Sequence, residues 1–302
     1  FPTADALYAI PHHEELMRDL SRYDLVGMQA KRDVSAFTEF AEHQMPSTFG
    51  NHRSENIDFS RTEVEAFPIG SDPDAFARLA TAPAGTKMIH RMNRALGDQR
   101  LILGVDRLDY SKGLPQRFKA FRYLLEHYPG TRSTVTFMQI APSSRADVAD
   151  YQDIRHELEG LSGAINGTYA DFDWTPLRYL NRSFARRALL GFYRISRVGL
   201  VTPLRDGMNL VAKEYVASQD PEDPGSLVLS HFAGAAEEMD AALIVNPFDA
   251  EGVAESLQRA LTMPREERQE RHRALMEVLR HNDIHRWRER FGEALAAAPY
   301  GP

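Results

Sequence analysis

From Arg100 onward, strand-sized apolar runs alternate with stretches whose apolar residues recur at helical spacing, and this alternation restricts the possible folds more than any other feature of the chain. Leu101-Ile-Leu-Gly-Val105 reads as a strand, and Phe118, Phe121, Leu124 and Leu125 then fall on one helical face. Val135 to Ile140 predicts a second strand, followed by a helix through Val148, Tyr151, Ile154, Leu158 and Leu161. Val198–Val201, Leu227–Leu229 and Leu243–Val245 are further strands with helical segments between them. Strands separated by helices imply right-handed βαβ units and a buried parallel sheet, so the expected architecture is a doubly wound, Rossmann-like α/β domain. Ligands of such sheets sit beyond the carboxyl ends of the strands, which makes the residue after each strand the place to look for chemistry.

Residues 1–70 are less regular. Tyr23–Gly27 and Glu63–Ile69 read as strands and Lys31–His43 as a helix, too few elements for a whole domain with its own core. Gly70-Ser-Asp-Pro-Asp74 has turn chemistry and reads as a linker. Arg265 to Ala298 is helical and rich in charge.

Composition matters mainly for what it excludes. The chain has no cysteine, which removes disulfides, thiolate metal sites and cysteine nucleophiles and fits a reducing cytoplasm. A formal charge of −7 argues against a broad nucleic-acid surface. No apolar run approaches the length of a membrane span, and no leader pattern opens the chain.

Two segments carry chemistry. Gly104-Val-Asp-Arg-Leu-Asp-Tyr-Ser-Lys-Gly113 follows a strand and precedes a helix, and its Arg107 and Lys112 can converge on one anion. A diphosphate leaving group needs such fixed positive charge, because charge builds on it as its bond breaks. From spacing alone, two solvated surface cations beside a turn is an equal reading. Thr202-Pro-Leu-Arg-Asp-Gly-Met-Asn-Leu-Val-Ala-Lys-Glu214 follows the strand ending at Val201, with a helix expected to start near Asn209. The unpaired N–H groups of its first turn suit a phosphate, and Gly207 lets the backbone approach a ligand. Asp206 lies before that helix and Glu214 within it, where helix capping is the plainer explanation of the acid at its start.

The strings Gly104–Gly113, Gln139-Ile-Ala-Pro-Ser-Ser-Arg145, Pro203–Glu214 and Asn282-Asp-Ile-His-Arg-Trp287 resemble the trehalose-6-phosphate synthases, in the same order and from Phe1 to about Phe291. The resemblance implies a GT-B glycosyltransferase of two Rossmann-like domains, transferring glucose from UDP-glucose to glucose 6-phosphate with retention of configuration. It implies that Arg107 and Lys112 hold the donor diphosphate. Asp206 binds glucose hydroxyls, and the main chain around Gly207, Met208, Asn209, Leu210 and Val211 contacts glucose and phosphates. Glu214 takes the ribose; Ile140, Phe184 and Leu189 surround base and ribose; Arg145 meets the acceptor phosphate. No cofactor and no metal are implied, and a homo-oligomer is compatible with the sequence. By the same resemblance residues 1–72 are the remainder of an acceptor-side domain, 73–280 the nucleotide-sugar domain, and 281–302 a terminal helix crossing back to the first.

The family's chains begin about a domain's length earlier, on the order of 150 residues. The chain as written is therefore expected to be incomplete for turnover. Two rivals stay open: a same-fold transferase using another nucleotide sugar or a cyclitol, and a non-catalytic nucleotide-sugar-binding homologue. Asp171-Phe-Asp173 mimics the D-x-D metal motif of another glycosyltransferase class, but it sits in an expected loop. His12, His13, His90, His156 and His231 have no ligand spacing, and Arg182, Arg186 and Arg187 read as an exposed helix face. Trp287 and Phe291 are expected to pack the terminal helix.

Overall fold

The computed structural model describes residues 1–42, 57–143 and 149–298. The chain divides into two compact units, one of Phe1–Gly70 with Asn282–Pro302 and one of Ser71–His281. In chain order, the first unit opens with α1 (Ala4–Tyr8), α2 (His13–Leu20), β1 (Leu25–Met28), α3 (Lys31–Glu42) and β2 (Glu63–Ala66). The second unit contains α4 (Pro73–Ala80), α5 (Pro83–Leu96), β3 (Arg100–Val105), α6 (Leu114–His127), β4 (Val135–Ile140), α7 (Ala149–Tyr169) and β5 (Leu177–Leu180). It continues with α8 (Arg186–Ile195), β6 (Val198–Val201), α9 (Leu210–Ser218), β7 (Ser226–Ser230), β8 (Leu243–Val245), α10 (Ala250–Thr262) and α11 (Arg265–His281). The chain then returns to the first unit with α12 (Ile284–Ala297).

The six strands of the second unit form one parallel sheet in the order β5-β4-β3-β6-β7-β8. Helices α6, α7 and α10 pack together on one side, and α4, α5, α8, α9 and α11 on the other. Helices cover both faces of the sheet, so β4 and β7 are buried at every residue; they are mainly apolar, with Thr136, Gln139, Ser226 and Ser230 as buried polar members. Phe118, Phe121, Leu124 and Leu125 of α6 are fully buried against the sheet residues Phe137 and Val135. At about 25 cal/mol per Å² of apolar surface, each buried phenylalanine or leucine contributes roughly 1.5–3 kcal/mol.

The expected strands and the α/β alternation are present. One strand, β5, escaped the periodicity because it lies at the sheet edge with only Leu177 buried, so it has no apolar run. The helical stretch expected from Arg265 to Ala298 is divided into α11 and α12 at Asn282, where the Asp283 carboxylate caps α12 by accepting from Arg286 N–H at 2.8 Å. In the first unit β1 and β2 form a parallel pair, and Leu7, Met17, Phe37 and Phe40 make a small core that sequence reading did not credit to this segment. Trp287 stacks on Phe291 at 5.7 Å and donates its indole N–H to Phe67 O, so both residues pack α12 as expected. Among the described residues no helix is long and apolar enough to cross a membrane.

Candidate functional site

Strands β3, β4 and β5 step outward in one direction from the middle of the sheet, and β6, β7 and β8 step in the other. The reversal between β3 and β6 opens a crevice at their carboxyl ends, where ligands of doubly wound sheets bind. Two loops enter it, Asp106–Gly113 after β3 and Thr202–Asn209 after β6. These are the two segments that the sequence marked.

The loops are stitched together. Ser111 O accepts from Leu204 N–H at 2.8 Å and from Arg205 N–H at 3.3 Å. Lys112 Nζ donates to Asp206 Oδ2 at 2.6 Å, with each side chain only 15% exposed. Asn209 Nδ2 donates to the same oxygen at 3.0 Å, and Met208 N–H to Asp206 Oδ1 at 3.4 Å. Gly113 closes the first loop at φ 65°, and a Cβ there would stand 2.7 Å from Thr202 O, so both conformation and contact demand glycine. Arg107 is exposed at the start of the first loop, while Lys112 points at the acid. The spacing of the two cations gave no hint of that pairing.

Beneath the loops lies a group that sequence reading missed. The Arg117 side chain is fully buried and pairs through Nη1 with Asp106 Oδ2, an acid only 2% exposed at the end of β3. Its Nε donates to Thr202 Oγ1 at 2.9 Å, its Nη1 also to Gln139 Oε1 at 3.3 Å, and its Nη2 to Lys112 O at 3.2 Å. One guanidinium thus ties the carboxyl ends of β3, β4 and β6 to the backbone of Lys112. Burial pushes the Asp106 carboxyl above the usual aspartate range, against the pull of Arg117. A buried ion pair adds little net stability, since desolvation offsets the attraction, so its main effect is to fix geometry. A signal was present: Arg117 lies four residues before Phe121 and seven before Leu124, on the buried face of α6, where an arginine requires a buried partner.

Helix α9 opens the other side of the crevice. Asn209 is its N-cap at φ 78° and makes no capping hydrogen bond, whereas α4, α10 and α12 are each capped by an aspartate. Asp206 is therefore not the helix cap that the plainer reading made it. The uncapped first turn presents backbone N–H groups and the positive end of the helix dipole beside exposed Gly207 and Leu210, with Met208 buried and Val211 half-buried. Glu214, one turn further along, pairs with Arg186 Nη2 at 3.2 Å, and Arg186 lies over the Phe76 ring at 4.6 Å. Burial pushes the Glu214 carboxyl above the usual glutamate range, and Arg186 partly opposes it.

The remaining expected site residues are less central. Ile140 ends β4 with its side chain buried and its carbonyl accepting from Asp106 N–H and the Gln139 amide, so it offers little open surface. Phe184 is half-buried, edge-on to Phe192 at 5.2 Å with Arg182 over its ring, and Leu189 is half-buried in α8. Arg145 lies outside the described residues. Arg186, expected only as part of an exposed face, is exposed yet engaged with Glu214. Asp171-Phe-Asp173 forms a tight turn closed by pairing of Asp171 with Trp174. It lies before β5, at the amino edge of the sheet and opposite the crevice. Among the described residues no group of three or more histidine or acidic side chains is placed to hold a metal ion.

A doubly wound parallel sheet with a crevice at its switch point is the domain architecture of GT-B glycosyltransferases. The chain belongs to glycosyltransferase family 20, whose model matches residues 1–297. It is 51% identical over 291 residues to a trehalose-6-phosphate synthase of Enterobacter sp. (strain 638), covering 96% of this chain and 61% of that protein. A crystal structure of a UDP-forming alpha,alpha-trehalose-phosphate synthase from Burkholderia xenovorans in complex with glucose-6-phosphate superposes with a TM-score of 0.91 at 50% identity, covering 98% of this chain and 65% of that one. An E. coli structure bound with UDP-2-fluoro glucose gives a TM-score of 0.90 at 48% identity, covering 98% of this chain and 66% of that one. The chain thus spans somewhat under two thirds of the length of these relatives.

Proposed function

We propose that the chain is the donor-binding portion of a retaining glucosyltransferase that moves glucose from UDP-glucose to glucose 6-phosphate, giving trehalose 6-phosphate and UDP. The observation that carries this reading is the meeting of Lys112 and Asp206 beside the uncapped N-terminus of α9. That meeting provides a cation and free amides for a diphosphate, together with an acid for sugar hydroxyls. In this reading Arg107 and Lys112 hold the diphosphate, Asp206 and the main chain of Gly207–Val211 hold glucose and phosphates, and Glu214 holds the ribose. Ile140, Phe184 and Leu189 border the nucleoside, and Arg145 takes the acceptor phosphate.

Asp206 Oδ2 already accepts from both Lys112 and Asn209, and Oδ1 from Met208 N–H. A carboxylate so occupied orients hydroxyls better than it attacks carbon. The chemistry we favour is therefore front-face displacement through an ion-pair-like transition state. The bond from the anomeric carbon to the diphosphate oxygen breaks, and the acceptor hydroxyl oxygen bonds that carbon from the same side. The hydroxyl proton passes to the departing phosphate, whose charge Arg107 and Lys112 stabilise. The cytoplasm is the proposed compartment, supported by a chain without cysteine and by relatives from bacteria.

Calorimetric titration with UDP, UDP-glucose and GDP, without divalent metal, tests the reading. UDP and UDP-glucose should bind in preference to GDP, and Lys112→Ala should weaken the binding at least about tenfold. A folded chain that binds none of the three would refute it.

A further inference from the structure

The segment after β7 folds back on the loop that carries Asp206. Phe232 O accepts from Asp206 N–H at 3.2 Å, Gly234 N–H donates to Asp206 O at 3.0 Å, and Ala235 N–H donates to Met208 O at 2.8 Å. Asp206 and Ala233 pair as an isolated parallel bridge. Gly234 is buried, and a Cβ built on it would stand 1.9 Å from Gly207 O, 2.7 Å from Gly207 C and 3.1 Å from Met208 Cα. All three are backbone atoms, so nothing flexible can give way. The far end of the segment is anchored separately: Glu238 Oε1 accepts from Lys213 Nζ at 3.2 Å, and that lysine, one turn inside α9, is 1% exposed. The segment therefore grips the 206–209 loop at one end and the helix that follows it at the other.

We propose that Gly234, with the short 3-10 turn Gly234–Glu237 that it opens, is a positioning residue that sets the height of the Gly207–Met208 backbone in the donor crevice. Affinity for the sugar part of a nucleotide sugar depends on it far more than affinity for the nucleoside diphosphate does. The inference rests on the reading that the 206–209 loop receives the sugar. Any side chain at position 234 must displace Gly207 and Met208 from their present place in the loop that would receive the sugar. The loop of Arg107 and Lys112 follows a different strand, β3, and meets the Thr202–Asn209 loop through the Lys112–Asp206 pair and Ser111 O rather than through Gly207 and Met208. Misplacement by about 1 Å can cost up to about 100-fold in a preorganised site.

Gly234→Ala titrated with UDP and with UDP-glucose tests the proposal, with folding checked by circular dichroism. The dissociation constant for UDP-glucose relative to that for UDP should rise at least about tenfold, with UDP itself within about twofold of the parent. Gly167→Ala in α7, where nothing stands within 4 Å of the added carbon, should leave both ligands unchanged. A folded Gly234→Ala with an unchanged ratio overturns the proposal, and so does a uniform loss of both ligands. If Gly234→Ala does not fold, the double variant Lys213→Met/Glu238→Ala releases the other anchor without stranding a buried ammonium. Its ratio should rise in the same direction, and an unchanged ratio in the folded double variant overturns the proposal. A parent chain that binds no UDP refutes the functional reading itself and removes the basis of the proposal with it.

Discussion

Arg117→Met keeps most of the side-chain volume and deletes every guanidinium donor beneath the two loops. The Asp106 carboxylate, 2% exposed, would lose its counter-charge, and Thr202 Oγ1, Gln139 Oε1 and Lys112 O would each lose a donor. Removing one partner of a buried pair costs about 3–5 kcal/mol. For a unit of this size that lowers the melting temperature by roughly 6–20 °C. The effect carries a pH signature. Burial already holds the Asp106 carboxyl above the usual range, and Arg117 is the largest influence opposing it. Without Arg117 the folded state keeps a proton that the unfolded chain releases, so stability falls as pH rises above the unfolded value, by at most about 1.4 kcal/mol per pH unit. Trp174, buried in the second unit with its indole N–H on Val135 O, reports the transition in a Trp287→Phe background. Arg117→Met should melt lower at pH 8 than at pH 5, and Asp106→Asn/Arg117→Met should lose that slope. Melting within about 2 °C of the parent, without pH dependence, would refute the account of Arg117 as the hub of the site.

Three further expectations follow from the same geometry. Lys112→Ala should raise the dissociation constant for UDP at least about tenfold, since it removes the cation aimed into the crevice; unchanged affinity by calorimetry would exclude that role. Nucleotide affinity should weaken as pH falls through a value above the ordinary glutamate range, because burial raises the Glu214 carboxyl and only its ionised form can accept from two ribose hydroxyls. Arg186→Ala should move that midpoint to higher pH, Glu214→Gln should remove it, and a midpoint indifferent to both variants would count against the assignment. His272 is buried with its Nε2 at 3.1 Å from Val216 O, and burial lowers its pKa below the usual 6.5. The unfolded chain takes up that proton first, so the stability of the second unit should be full above about pH 6.5 and decline below it. His272→Gln should flatten the decline in thermal melts, and an identical acid limb in parent and variant would contradict it.

Much of the candidate site's placement was legible in the sequence because its parts are local. A strand of Leu101–Val105 followed by a turn with two cations, and a strand of Val198–Val201 followed by a glycine-containing turn, each declare their position at the carboxyl edge of a parallel sheet. Alternation of apolar runs and helical periods requires both layers of helices, and the covered strands follow. These properties are set within a few residues by side-chain periodicity and turn chemistry, before any long-range contact forms.

The tertiary structure decided what those residues do to one another. Lys112 and Asp206 are 94 positions apart and meet only because β3 and β6 are neighbours at the point where the sheet order reverses. The periodicity of α6 places Arg117 on the buried face but does not name its partners, and it becomes a hub because Asp106, Gln139 and Thr202 lie at the ends of three adjacent strands. Gly234 has no sequence signal beyond being a glycine, and its constraint comes from the backbone of Gly207 lying against it. Periodicity fixes which face of an element is buried, whereas charge pairing and backbone clearance depend on which elements the sheet brings side by side. Only the folded chain supplies that neighbourhood.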